Sequence, residues 1–302
     1  MKGAPFTHLC CQLTVLKNPA RADLHTHTTS SDGTHTPESL VTRAIQAGLK
    51  AVAITDHDTM HAIGPARSFA HGRIEVIAGV EVTAEFRGRE LHLLGYFVDL
   101  NDSPLEEALA SIRRGRRGRF LELARRIGVL DVSIEGMIAS QPESVTLGRR
   151  NLAHLLIQKG IARNMHDAFS RVLSADNLAN VPKCRLPVEE AIARIREAGG
   201  VCSWAHPPQE TDLVVLGELK AKGLQAVECE YPWPTRTHGR RLKELAERLG
   251  LAVTGGSDSH DPGPRSIGQR TVSMEQVDII RALRTRPDYS LTPFDASTDI
   301  TN

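Results

Sequence analysis

Along the chain, short apolar runs rich in β-branched residues alternate with longer stretches in which apolar residues recur every three or four positions. The first pattern fits strands covered on both sides, and the second fits helices with one buried face. Seven strands are predicted, at Arg21–Thr26, Ala51–Thr55, Ile74–Ala78, Leu91–Val98, Val201–Ala205, Gln225–Glu230 and Leu251–Thr254. Their regular alternation with helices predicts an α/β architecture in which helices cover a parallel sheet or barrel. One helix is expected at Pro37–Ala47. Thr36 can cap its free amides, Pro37 suits its first turn, and Gly48 ends it.

The alternation lapses between about residues 101 and 183, where the helical patterns Leu105–Ile127, Leu152–Lys159 and His166–Leu173 occur. This predicts a helical insertion, 101–183, within a barrel domain formed by residues 21–100 and 184–292. Residues 1–20 read as an N-terminal extension. The polar, poorly patterned residues 293–302 read as a loose tail. A chain of 302 residues is long enough for one such domain and its core.

Composition narrows the partners. Lys and Arg number 37 against 36 Asp and Glu, so global charge recruits neither nucleic acid nor a membrane. Any anionic partner must be recognised locally. Cys10, Cys11, Cys184, Cys202 and Cys229 form no C-x-x-C pair, which excludes zinc-finger ligation and fits thiols of a reducing compartment. The run Phe6 to Leu16 is interrupted by polar residues, and no small-residue cleavage site follows. No stretch approaches the roughly 18 apolar residues of a membrane span. A cytoplasmic protein without a membrane partner is expected.

Metal-capable residues fall at the predicted strand ends. His25 and His27 close the first strand, and their spacing of two points both to one side of an extended chain. Asp32 follows in a turn, Ser31-Asp-Gly33. His57 lies in Thr55-Asp-His-Asp58, and Glu81 in Gly79-Val-Glu81, where a carboxylate could bridge two ions. His92 lines the fourth strand, His206 closes the fifth in Ala205-His-Pro207, and Asp258 and His260 close the seventh in Gly256-Ser-Asp-Ser-His260. Barrel enzymes gather their chemistry at this end of the strands. His8, His35, His61, His71, His154, His166 and His238 lack that placement and read as ordinary surface or core histidines.

Together, Asp23-Leu-His-Thr-His27 and the five motifs after it resemble the PHP (polymerase and histidinol phosphatase) family of phosphoesterases, over Asp23 to His260. The nearest branch is that of nucleoside 3′,5′-bisphosphate phosphatases and short-RNA 5′ exonucleases. The resemblance implies a distorted seven-stranded (β/α)7 barrel with a helical insertion. It also implies two to three divalent ions: one on His25, His27, Glu81 and Asp258, a second on Glu81, His92 and His206, a third on Asp32, His57 and His260. Glu81, Asp258 and His57 are the implied catalytic residues, with Asp23 and Asp56 orienting the ligating histidines. Imidazole and carboxylate donors suit manganese, zinc or iron without choosing among them.

The implied reaction is hydrolysis of a phosphate ester of a small nucleotide-like substrate, by attack of a metal-bridging hydroxide. The alternatives are a 5′–3′ exonuclease on short RNA and a catalytically silent metal-binding regulatory module. No stable protein partner is implied. Arg149, in Gly148-Arg-Arg-Asn151, matches the branch's phosphate-binding arginine, whereas Asn151 stands where the branch has histidine. The branch's loop lysine has no counterpart in Ser174-Ala-Asp-Asn-Leu178. Arg113, Arg114, Arg116, Arg117, Arg119, Arg125 and Arg126 read as a solvated helix face, with a polyanion groove as the alternative. Trp204, Tyr231 and Trp233 read as rim packing or as flanks for a base.

Overall fold

The computed structural model describes residues 20–174, 181–232, 235–260 and 265–284. Among the described residues, nine strands form one sheet: β1 Arg21–Asp23, β2 Ala51–Ile54, β3 Glu75–Phe86, β4 Arg89–Tyr96, β5 Leu186–Pro187, β6 Val201–Trp204, β7 Ala226–Glu230, β8 Ala252–Gly255 and β9 Val272–Ser273. Their order is β8-β7-β6-β4-β3-β2-β1-β9, with β5 beside β3. The chain beyond β1 and β8 closes the ring through a parallel bridge between Thr26 and Ser259 and a bond from His27 N to Ser259 O (3.0 Å). The result is a nearly closed barrel whose seven principal strands match the predicted seven.

Parallel pairing holds for β1–β2–β3 and β6–β7–β8, but β4 runs antiparallel to both neighbours. The cause is a two-residue turn at Arg87-Gly88, both at positive φ (54° and 74°), which reverses the chain at once. Glu81 therefore lies within a twelve-residue strand and does not end a short one.

Residues of β2 and β3 alternate between two apolar layers. Val52, Ile54, Val76 and Ala78 pack outward with Leu40, Val41 and Ala44 of helix α1 (Pro37–Gln46) and with Ile63 and Ala66 of α2 (Ile63–Ala70). Ala51, Ala53 and Ile77 face the interior with Leu94, Tyr96 and Val201. Burial on both sides explains the near-continuous apolar runs. Thr36 caps α1 as expected, its hydroxyl accepting from Ser39 N (3.2 Å).

Helix α3 (Ser103–Ile127) spans two cores. Leu105, Leu109 and Ile112 join the barrel's outer layer. Phe120, Leu123 and Ala124 join a separate core with α4 (Val132–Ser140), α5 (Arg149–Gln158) and α6 (Met165–Asp167), which continues as a π-helical turn over Ala168–Val172. Helices α7 (Val188–Glu197), α8 (Leu213–Ala221), α9 (Arg236–Leu249) and α10 (Met274–Ala282) follow the later strands. Among the described residues, no helix is long and apolar enough to cross a membrane. The loop at 175–178, Trp233, Cys10, Cys11, His8 and the tail 293–302 lie outside the described residues.

Candidate metal centre

The side chains at the strand ends meet around Glu81, which is 1% exposed. Its Oε2 lies 3.3 Å from His25 Nε2, 3.2 Å from His27 Nε2 and 3.1 Å from His57 Nδ1. Its Oε1 lies 2.9 Å from His92 Nδ1 and 3.1 Å from His206 Nε2. Asp258 Oδ1 stands 3.5, 3.3 and 3.4 Å from His25, His27 and His260. Asp32 Oδ1 lies 3.2 Å from His260 Nε2 and 3.9 Å from His57 Nε2. All nine sequence-predicted residues are thus brought together.

Among the described residues, three groups have donor atoms that all lie within 4.8 Å of one another within the group: His27, Asp32, His57 and His260; His25, His27 and Glu81; and His57, Glu81 and His92. The grouping differs from the implied partition at His27 and His57, each of which stands in two groups. His206 meets the Glu81 oxygen that His92 touches, the pairing named in the implied second site.

Local backbone features fix these positions. A Cβ on Gly256 would stand 2.3 Å from His25 N, and one on Gly33 2.4 Å from His27 O, so both motifs need glycine there. Asp58, His206 and Asp258 adopt positive φ (52°, 32° and 47°), conformations that L side chains adopt at a cost and that surrounding structure must hold.

The donor chemistry fits bound cations. His25 Nε2, both ring nitrogens of His27, Asp32 Oδ1, His57 Nδ1, Glu81 Oε2 and His92 Nδ1 are buried without a hydrogen-bond partner. Buried polar atoms seldom remain so, and lone pairs converging from several sides are what a cation satisfies. Charge balance points the same way. Burial disfavours protonated His27, yet the neighbouring carboxylates of Asp258 and Glu81 outweigh it and push its pKa up to about 10. Burial would raise Glu81, but His57, His92 and His25 hold it well below the usual carboxylate range. Burial pulls His57 well below the ordinary imidazole value.

Sequence reasoning missed three supporting residues. Glu228, fully buried in β7, accepts from His25 Nδ1 (3.0 Å) and His206 N (2.7 Å), leaving His25 Nε2 to face inward. The strand reads Ala-Val-Glu-Cys-Glu, so a carboxylate within it was a signal, but one that Glu230 shares. Arg265 holds Asp258 Oδ2 (2.9 Å). Lys183, outside the loop 174–178 that was expected to lack the branch's lysine, lines the cleft over the site from the segment entering β5. Asp23 and Asp56 differ from their expected role of orienting imidazoles. Asp23 accepts from the amides of His25, Ser257 and Gly268, and Asp56 from Thr28 and from the hydroxyl of Ser31. They fix the loops that carry the histidines.

The arginine run of α3 divides by burial. Arg113 is buried and donates to Asp58 O, Glu143 O and Glu106. Arg116 pairs with the buried Asp58 (2.7 Å) and bonds Thr83 Oγ1. Arg117 holds the carbonyls of Ile138 and Gln141, while Arg125 and Arg126 pair with Glu122 on the surface. These two and the exposed Arg114 fit a solvated face. Arg116 and Arg119 join Arg149, Arg150, Lys183 and Arg265 around a cleft of about 350 Å³ whose floor includes Asp32, His57, His92 and His260. Arg149 starts α5, with its guanidinium 5.9 Å from the Phe169 ring. Asn151 accepts from Gly148 N (2.7 Å) and donates to Ser31 O (3.0 Å), tying the insertion to the loop that bears Asp32.

This arrangement, imidazoles and carboxylates on a barrel mouth beneath a basic insertion, has known counterparts. The PHP domain profile matches residues 23–178. The chain belongs to the PHP domain family. The 5′-3′ exoribonuclease Rnm of Escherichia coli (strain K12) is 32% identical over 256 residues, covering 80% of this chain and 86% of that protein. A 3′,5′-nucleoside bisphosphate phosphatase of Chromobacterium violaceum is 29% identical over 257 residues, covering 81% and 88%. A solved structure from Bifidobacterium adolescentis, a candidate metal-dependent phosphoesterase, superposes on this PHP domain with a TM-score of 0.79 at 29% identity, covering 86% of this chain and 95% of that one. The protein is accordingly a metal-dependent phosphoesterase, a hydrolase of phosphoric esters.

Proposed function

We propose that His25, His27, Asp32, His57, Glu81, His92, His206, Asp258 and His260 hold two to three divalent transition ions, and that the protein hydrolyses a phosphate ester of a small nucleotide-like substrate. The observation that carries this reading is Glu81, whose two oxygens meet five imidazoles while its Oε2 has no hydrogen-bond partner. Manganese, zinc and iron all suit the donor set. Bound ions supply neutralising charge at the phosphoryl oxygens and an activated water.

The chain's own residues do the rest. Glu228 keeps the His25 ring turned so that Nε2 faces Glu81. Against its burial, His25, His27 and His260 hold Asp258 ionised, and Arg265 pairs with its Oδ2. Arg149, opposite this floor, offers a planar donor fork for a second phosphate of the substrate.

The row Arg116, Arg119, Arg149 and Lys183 also favours a second reading, a 5′-phosphorylated short RNA entering the same cleft. A panel at fixed manganese concentration separates the two: p-nitrophenyl phosphate, its bis ester, a nucleoside 3′,5′-bisphosphate and a 5′-phosphorylated short RNA. The highest kcat/KM is expected on the bisphosphate, and a higher value on the RNA selects the exonuclease. No hydrolysis of any of the four, before or after reloading with manganese or zinc, contradicts both.

A further inference from the structure

A second cleft, of about 650 Å³, opens beside the basic one and shares His92 and Glu90 with it. That volume falls in the range of small-ligand sites, roughly 300–1,000 Å³. The chemistry of its wall differs from that of the first cleft. Trp204, Leu91, Phe86, Pro208 and Val215 make it largely apolar, and His206 joins His92 at its inner end. Four charged residues line it, of which Arg87 pairs with Glu218 (2.6 Å) and Glu90 with Lys183 (2.8 Å), and Arg89 and Glu210 are the others. Thr211 also lines this cleft. It is 2% exposed, and its Oγ1 has no hydrogen-bond partner.

An unpartnered buried hydroxyl in an apolar wall costs free energy unless a ligand completes it. A phosphate alone would leave the apolar wall of Trp204, Leu91, Phe86, Pro208 and Val215 uncovered. A purely aliphatic group would leave the hydroxyl unbonded. A flat heteroaromatic ring satisfies both features, with apolar faces for the wall and a polar edge for Thr211. Because His92 and His206 stand between the cleft and Glu81, a ring seated there lies next to a phosphate held at the cluster. We propose that this cleft receives the base of the nucleotide substrate, with Thr211 Oγ1 bonding the base edge. The proposal rests on the phosphoesterase reading above and adds to it the part of the substrate that is not phosphate.

Two variants test it. Thr211→Val removes the hydroxyl at nearly constant shape, and Val215→Trp narrows the cleft. The rates compared are those on a nucleoside 3′,5′-bisphosphate, on ribose 3,5-bisphosphate without a base, and on phenyl phosphate. The ratio of kcat/KM for the nucleotide to that for the base-free sugar should fall about tenfold in Thr211→Val, the size of one hydrogen bond. Val215→Trp should lower it further. Binding gives a second readout, since Trp204 and Trp233 are the chain's two tryptophans. In a Trp233→Phe background, adenosine should quench Trp204 fluorescence, and Thr211→Val should weaken that binding.

An unchanged ratio in both variants overturns the base site while leaving the phosphoesterase reading intact, because the base-free sugar is still hydrolysed. Phenyl phosphate responding to Thr211→Val as the nucleotide does overturns it in favour of a general apolar site. If the wild type hydrolyses none of the three, the phosphoesterase reading fails. The adenosine titration then decides the cleft alone: quenching weakened by Thr211→Val keeps the base site, and absence of quenching removes it.

Discussion

Glu81 is the residue whose loss should cost most, since five imidazoles lie within 3.3 Å of its oxygens. Glu81→Gln keeps the shape and removes the charge that gathers them. We expect activity to fall by roughly three orders of magnitude or more, with cooperative unfolding retained; wild-type turnover in this variant would refute the assignment. Glu228 is a subtler case. Glu228→Ala frees the His25 ring, and metal affinity measured by competition with a chelator should fall about 10- to 100-fold. For Arg149→Ala, KM should rise on a bisphosphate and hold on p-nitrophenyl phosphate, which has no second phosphate to clamp. The nine converging residues were legible in the sequence from short motifs, seven of them past strand ends and Glu81 and His92 within strands. Glu228, Arg265 and Lys183 were not. Nothing in the spacing says that Glu228 turns inward while Glu230, two residues on, pairs with Lys243, because the register shifts between them.

At the scale of elements, polar contacts join the helical insertion to the barrel loops. Asp58 links the two: its carboxylate accepts from Thr83 N and Oγ1 and from Arg116, while its carbonyl accepts from Arg113. Arg116→Ala leaves a buried carboxylate without its cation and should cost roughly 3 kcal/mol in urea unfolding. A cost near zero would mean that the pair does not anchor α3. Within the insertion, Arg171 and the amide of Arg163 hold Asp167 well below the usual carboxylate range. A lowered folded pKa adds stability above the unfolded value of about 4 and loses it as pH falls. Asp167→Asn should therefore lower Tm at pH 7, by a margin that shrinks below about pH 4. The seven strands were legible from their apolar runs, which arise because both faces are covered. The antiparallel run of β4 was not, because it depends on Arg87 taking the positive φ that a two-residue turn requires, where glycine or asparagine would have signalled it.

Over the whole molecule, the barrel mouth joins three surfaces: the donor cluster, the basic cleft under the insertion and the apolar cleft by Trp204. The sequence shows the alternation that builds the barrel, but neither cleft, because each is lined by residues distant in the chain, such as Glu90 and Lys183 in the first and Phe86 and Val215 in the second. If the cluster holds ions, folding and metal binding are linked. Saturating metal at 1,000 times its Kd adds about 4 kcal/mol to stability, so chelation should lower Tm and reloading should restore it. The most direct test is the metal content of the purified chain, by elemental analysis, before and after incubation with manganese and zinc. We expect two to three equivalents per chain in the wild type and a clear deficit in Glu81→Gln; a wild-type content that stays near zero after incubation would contradict the account.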